Sequence, residues 1–381
     1  MKMLNKLWLI LILAFLVSCS GKSALERSRT PLKKIKPAAS IKIGQAWHTK
    51  IGNGSGKKSN ILDPLITGSA VYANAENGTI KAISIKNGKL FWQNKLNKTM
   101  STGVGTGTNN IYIGSNSGQV LGFAKQNGKL VLKSKVLGGL IGAPAGKAGT
   151  VVARTLNGDI YGLNPAGNVI WQQKHEPPKL TIHSGASPVF YGNKAVMGLD
   201  DGNLMALDYA NGNIEWLEPV AYSHGRNIID RIVDVDATPV MEGDRMYVVS
   251  FHGNVSKIDA VSGTAIWSAK YSSVQPPAVS GNALVLTHEQ GLITGFNKDN
   301  GAKVWEKAFL RGYDLTGPAA YGRYVAVGVK KSNVVFWLDS TNGKVVAKTK
   351  VAGDDIMSVK GSPYGIIIYT ENGSLSLQRP G

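Results

Sequence analysis

The stretch Asp201-Gly202-Asn203-Leu204-Met205-Ala206-Leu207-Asp208, continued by Tyr209-Ala210-Asn211-Gly212-Asn213-Ile214-Glu215-Trp216, decides the fold. An Asp-Gly pair and an Asn-Gly pair bracket an alternating apolar run, which is the pattern of a strand held between two hairpin turns. The same unit recurs along the chain. Its first glycine returns as Gly78, Gly118, Gly158, Gly202, Gly253, Gly291 and Gly373, with Asn333 in the seventh copy, at spacings of 40, 40, 44, 51, 38, 42 and 40 residues. Its second glycine returns as Gly88, Gly128, Gly167, Gly212, Gly263, Gly301 and Gly343, and four residues later stands Trp92, Trp171, Trp216, Trp267 or Trp305, with Leu132 and Ala347 as weaker copies.

Working outward, Pro64, Pro144, Pro188, Pro239 and Pro277 each precede the first glycine by 14 residues, where a proline opens an inner strand without losing a ladder bond. Apolar runs such as Met246 to Val249 lead into the first turn, and Val255 to Ile258 lead out. The Asn-Gly and Asp-Gly pairs predict type I′ hairpins, in which both central residues need φ > 0. Four strands in about 40 residues make a propeller blade. The eighth unit stops at Gly381 without its fourth strand, and Ile43 to Lys50, with Trp47, has the character of the missing piece. The expected fold is therefore all-β: an eight-bladed β-propeller of four-stranded antiparallel blades, its ring closed by an N-terminal strand, over residues 41–381.

The ends of the chain carry a different message. Lys2 and Lys6 precede an apolar run from Leu7 to Val17, too short to span a bilayer, which reads as a cleaved signal over residues 1–18. It leads into Leu16-Val17-Ser18-Cys19, which resembles a bacterial lipobox and makes Cys19 the expected site of diacylglyceryl attachment and lipidation. Cys19 is the single cysteine, which excludes a disulfide framework, a Cys-based zinc cluster and a CxxC redox pair. Residues 19–40 read as a basic tether, with Lys22, Arg27, Arg29, Lys33, Lys34 and Lys36 against Glu26 alone. The tether reads as a solvated linker or, functionally, as a segment attracted to anionic lipid heads beside the anchor, and no nucleic-acid-binding pattern accompanies the chain's net charge of +19. Ser20 after the lipidated cysteine reads as sorting to the periplasmic face of the outer membrane.

The pattern Ala206-x-Asp208-x-x-x-Gly212-x-x-x-Trp216, echoed by Asp259, Gly263 and Trp267, resembles the tryptophan-docking repeat shared by PQQ-dependent dehydrogenases and the BamB lipoproteins of the outer-membrane β-barrel assembly machinery. Size, lipobox, tether and blade number are similar to BamB from end to end, and Ile229 to Pro239 resembles that family's I-D-R-x-x-D-V-D-x-T-P segment. The resemblance implies a non-enzymatic scaffold without cofactors. Its implied partners are the central barrel subunit BamA through its POTRA domains, other subunits of the machine, unfolded outer-membrane protein clients and the outer membrane itself, with no nucleic acid.

Spacing marks the same surface independently. From the tryptophan position to the next blade's proline the chain takes 17 residues between Trp171 and Pro188 and 23 between Trp216 and Pro239, against 10 to 13 elsewhere. These long connections leave adjacent blades at equivalent places, so both are expected on one face, where binding loops on rigid scaffolds usually sit. By resemblance the partner-binding residues are Leu180, Ile182 and His183 in the first connection and Asp234 and Asp236 in the second. Alternation is expected to put Leu180 and Ile182 on one side, and Asp234 and Asp236 likewise as an acidic edge. His183 departs from the arginine common in the family and lacks its bidentate fork.

Two other functions compete: a PQQ-dependent dehydrogenase-like enzyme, and a propeller that binds periplasmic peptides or glycans. The first resembles the fold but typically also has an adjacent cysteine pair and a calcium site beside a catalytic Asp, and a lone lipidated cysteine excludes the pair. His48, His175, His183, His224, His252 and His288 are scattered without metal-ligand spacing, there is no GxSxG elbow, and Gly52 to Lys57 fails the phosphate-loop spacing.

Overall fold

The structure is a computed structural model that describes residues 29–37, 41–55, 62–181, 185–222 and 232–381. Its strands form eight four-stranded antiparallel sheets. Blades 1 to 7 span residues 65–95, 105–135, 140–173, 189–219, 240–270, 278–307 and 319–350, each in simple sequential order. Blade 8 takes three strands from residues 356–380 and its outermost from Ile43–Lys50, which pairs antiparallel with Ser374–Pro380. The ring is closed as expected.

The core is not central. Eight apolar clusters fill the gaps between neighbouring blades, one per gap. Neighbours within one strand feed opposite gaps: Val151 joins the cluster between blades 2 and 3, and Val152 the one between blades 3 and 4. A strand buried on both faces needs apolar residues at every position, which explains the continuous runs in the second and third strands. The outer strands alternate instead, as in Ala265–Lys270, because only one of their faces is covered.

The glycine and tryptophan of the repeat meet across the gaps. A Cβ added to Gly301 would lie 2.5 Å from the Trp267 ring, one on Gly343 2.5 Å from Trp305, and one on Gly212 2.7 Å from Trp171. Each indole therefore lies flat on the glycine of the next blade. The indole N–H then donates to the carbonyl three residues before that glycine: Trp92 to Lys125 (2.8 Å), Trp171 to Tyr209 (2.9 Å), Trp267 to Lys298 (3.1 Å) and Trp305 to Ser340 (2.9 Å). Trp216 stacks on Gly263 without that bond. Trp47 repeats the arrangement from the N-terminal strand, against Gly88 and the Ile85 carbonyl (2.8 Å), so the closing strand docks blade 8 on blade 1.

Two local expectations change. The turns are not type I′, because only the glycines have positive φ (Gly78 +81°, Gly88 +73°) and none of the asparagines before them does. Asparagines before the glycines accept the N–H two residues on, as Asn77 does from Thr79 (3.2 Å) and Asn87 from Lys89 (3.1 Å). These are Asx turns with glycine at the one left-handed position. Pro144 also differs from its counterparts: Pro64, Pro188, Pro239 and Pro277 precede an inner strand, whereas Pro144 lies inside Leu140–Lys147, at a register shift between Ile141 and Ala145.

The repeat's aspartate has a structural use. Asp259 accepts the N–H of Val261 (2.9 Å) and of Ser262 (3.0 Å) and pairs with Arg245. The Ser262 N–H foremost, then those of Val261 and the arginine, outweigh burial and hold its carboxyl below the usual range.

Two outcomes check this packing. Gly301→Ala should lose about 2–4 kcal/mol in urea unfolding, from left-handed strain plus overpacking against Trp267. Gly281→Ala, at φ +58° with nothing within 4 Å of its Cβ, should lose only the strain, about 1–2 kcal/mol. Because the folded pKa of Asp259 is depressed, its contribution is present above the ordinary carboxylate range near pH ~4 and is lost as pH falls through the folded value. Asp259→Asn, which keeps the acceptor, should therefore flatten the fall of the urea midpoint between pH 6 and pH 3.

Candidate functional site: the loop face

Every connection from an outer strand to the next inner strand, and every turn between second and third strands, emerges at one end of the ring. The connections at 174–188 and 220–239 are therefore on one face, side by side, as their lengths predict. Residues 182–184 and 223–231, and with them Ile182 and His183, lie outside the described residues, as does Cys19. What the structure shows is how the bases of the two loops are built.

The second loop is wedged between blades 4 and 5. Val235 N–H donates to Leu199 O (3.0 Å), and Phe251 N–H donates to Asp234 O (2.8 Å). A Cβ on Gly198 would stand 1.9 Å from Val235 O, so only glycine permits this approach. Alternation predicts that Asp234 and Asp236 form an exposed acidic edge; the structure buries both, at 0% and 5% exposure, together with Val233, Val235 and Ala237. The strand-like pattern fails because the segment is covered on both sides by neighbouring turns. Asp236 reaches across to accept the Gly185 N–H of the first loop (3.3 Å), and Thr238 Oγ1 accepts the N–H of Ser187 (3.0 Å). Ser187 in turn accepts from Ala143 N–H (2.9 Å) in blade 3. The carboxylate is a tie between the loops rather than a surface charge.

Beneath the first loop lies a buried ion pair absent from the sequence expectations. Arg154, at the end of the strand Thr150–Thr155 in blade 3, pairs with Asp200 of blade 4 at 2.8 Å and also donates to Gly198 O (3.0 Å). Both side chains are buried. The signal that could have revealed it is a charged residue in an otherwise apolar run, Val151-Val152-Ala153-Arg154. His175 of the loop approaches the neighbouring Asp201 at 3.7 Å.

Among exposed charged residues such as Lys98 and Lys179, the face also shows large apolar side chains. Leu180 is 50% exposed, as expected, and the same end of the ring also displays Leu137 (75%), Leu156 (40%) and Tyr222 (59%). Leu156 and the loop carrying Leu137 adjoin through Leu156 N–H to Gly139 O (2.8 Å). Leu137 and Leu156 sit in short turns of ordinary length, which is why spacing did not single them out, whereas Tyr222 stands at the start of the longer connection. Further in, two connected cavities of about 640 and 740 Å³ share Asp63, Gln275, Pro276, Lys360 and Gly361 along the inner strands. Lys360 pairs there with Asp63 (2.6 Å), and burial lowers the pKa of Lys330 beside it. Among the described residues no group of His, Cys, Asp or Glu is arranged to hold a metal ion.

The family model described as outer membrane protein assembly factor BamB matches residues 76–307. The chain belongs to the BamB family. Proteins named outer membrane protein assembly factor BamB are 27% identical to it in Bordetella pertussis, over 96% of this chain and 94% of theirs, and 29% identical in Burkholderia pseudomallei, over 95% and 94%. The crystal structure of BamB from Moraxella catarrhalis superposes with a TM-score of 0.80 at 21% identity, covering 89% of this chain and all of that one, and agrees on the fold. A computationally designed protein, Ika8, shares the architecture at a TM-score of 0.63 and 15% identity. BamB is an assembly factor and not an enzyme, so the dehydrogenase alternative falls while the repeat it shares remains.

Arg154→Met should cost about 3–5 kcal/mol in urea unfolding by leaving Asp200 buried without its partner. Arg154→Met combined with Asp200→Leu should recover much of that loss, because the uncompensated charge is gone.

Proposed function

We propose that the chain is a scaffold lipoprotein of the outer-membrane β-barrel assembly machinery, held through Cys19 to the periplasmic leaflet and docking the POTRA domains of the central barrel subunit BamA with its loop face. The observation that carries this reading is the pair of long, mutually tied loops on a rigid end of the ring, with Leu180 exposed beside other apolar side chains. Exposed apolar groups over a fixed base are the usual composition of an interface hot spot. Ile182 and His183 belong to the same docking segment in this reading.

Asp234 and Asp236 then act through geometry. Buried at the base of the second loop, Asp234 accepts the Phe251 N–H of blade 5 through its carbonyl and Asp236 holds the Gly185 N–H of the first loop, so in this reading both place the loops instead of meeting basic groups on the partner. A buried carboxylate cannot be replaced by lysine without disrupting its surroundings.

The test is co-purification of the barrel subunit with the full chain from detergent-solubilised membranes. Leu180→Glu should reduce recovery at least tenfold while leaving the urea midpoint unchanged, since Leu180 lies outside every buried cluster. Asp236→Ala should reduce both. Normal recovery with Leu180→Glu, together with loss of recovery from a patch on the opposite face, would overturn the assignment. Cys19→Ala should move the protein from the membrane to the soluble fraction, and retention of that variant in high salt would refute the anchor.

A further inference from the structure

The basic segment before the ring reads in the sequence as a solvated tether, but residues 29–37 are docked. Leu32 and Ile35 pack on the cluster between blades 6 and 7, with Phe309, Tyr313 and Phe336. The Arg29 guanidinium sits 4.8 Å over the Tyr313 ring, and Tyr313 OH donates to Thr30 O (3.0 Å). Lys348 Nζ donates to the carbonyls of Leu32 and Ile35. The short 3-10 turn Leu32–Lys34 between these contacts leaves Lys33 and Lys34 exposed.

The contacts have a direction. Tyr313 is in the connection 308–318, which leaves the ring on the same face as the two long loops. Lys348 is midway along the outer strand Val345–Lys350 of blade 7, and Ile41 N–H bonds Val346 O (3.0 Å) near that strand's other end. Residues 29–37 therefore run down the outside of blade 7 from the loop face, and residue 41 stands at the opposite face. There the chain turns back up through the closing strand Ile43–Lys50.

We infer that this latch aims the ring: the edge of the loop face at blades 6 and 7 is the surface that meets the phospholipid leaflet. The inference rests on Cys19 being the lipid anchor. Ten Cα steps separate Cys19 from Arg29, a reach of at most about 35 Å. Without the latch the same lipid would be tied to residue 41, on the far face, and the ring could present either side. With it, the chain leaves for the membrane from the loop face. The edge it leaves from carries Arg29, Lys33, Lys34, Arg311 and Lys331 against Asp314, 3.6 Å from Lys331, and Glu289, Asp354 and Asp355 in the neighbouring turns, so the charges nearly balance and the path of the tether sets the orientation. The two long loops, on the same face but at blades 3 to 5, are thereby held to the membrane side of the ring.

Ala308 and Ala302 give a matched pair of probes, since both are exposed and they stand at opposite ends of the outer strand Lys303–Lys307 of blade 6. Such a strand separates them by about 20 Å. The full lipidated chain carrying Ala308→Cys or Ala302→Cys, with Cys19 blocked by its acyl groups, is labelled with a donor fluorophore and reconstituted in phosphatidylethanolamine and phosphatidylglycerol vesicles containing a headgroup acceptor. Energy transfer from position 308 should exceed that from position 302 by at least twofold. Adding Leu32→Ser, Ile35→Ser and Lys348→Ala should bring the two values together, while the urea midpoint stays within that of a peripheral change. Equal transfer from both positions in the intact chain, or a difference that survives release of the latch, would overturn the orientation alone. Failure of the chain to float with the vesicles would overturn the anchor, and the orientation with it.

Discussion

A blade of this ring has two apolar faces and no means of covering either by itself. Each of the eight gaps is filled by side chains from both neighbours, so a missing blade would expose two faces at once, and the structure is stable only as a closed circle. Closure rests on the strand Ile43–Lys50 lying along Ser374–Pro380, which joins the two ends of the fold across the whole length of the chain. Trp47 completes the join by docking on Gly88 as the other indoles dock on theirs. Everything on the loop face depends on this, because loops hold a position only when their feet do.

The loop face is where the regularity of the ring is broken and where its polar core lies. Arg154 and Asp200 bridge blades 3 and 4, while Asp236 ties the loop after blade 4 to the loop after blade 3. A buried charge pair is a costly way to gain stability but a good way to fix a geometry, since misplacing either partner strands the other. The same face thus combines a rigid polar foundation with exposed leucines and a tyrosine, the arrangement expected of a surface that must keep its shape while covering apolar groups on a partner.

The latch on blade 7 extends this from shape to orientation. A lipid anchor on a free tether determines how far a protein strays from the membrane but not which way it faces. With lipid on Cys19, as proposed, docking residues 29–37 onto the ring through two apolar side chains and a few hydrogen bonds would make that anchor directional.

Much of the fold was legible in the sequence, because a propeller repeats a local pattern. The spacing of Gly202, Gly212 and Trp216 is a statement about turns and about one indole reaching one glycine, and its recurrence through eight units, complete in five of them, leaves a single architecture. The closing strand was legible for the same reason, through Trp47. Irregular segments carry no such periodicity, and there the reading failed or fell silent. Asp234 and Asp236 alternate as an exposed strand would, yet they are buried, because what covers them comes from turns near residues 199 and 251 that no local pattern connects to them. The asparagines of the turns pointed to the right hairpins by a different conformation, their side chains accepting a nearby N–H instead of their backbones turning left-handed. Leu32 and Ile35 look like isolated apolar residues in a basic linker until blades 6 and 7 supply the groove that receives them. Local spacing determines strands and turns because their hydrogen bonds close within a few residues; the fate of a loop or tether is decided by surfaces assembled from distant parts of the chain, and those exist only after the ring has closed.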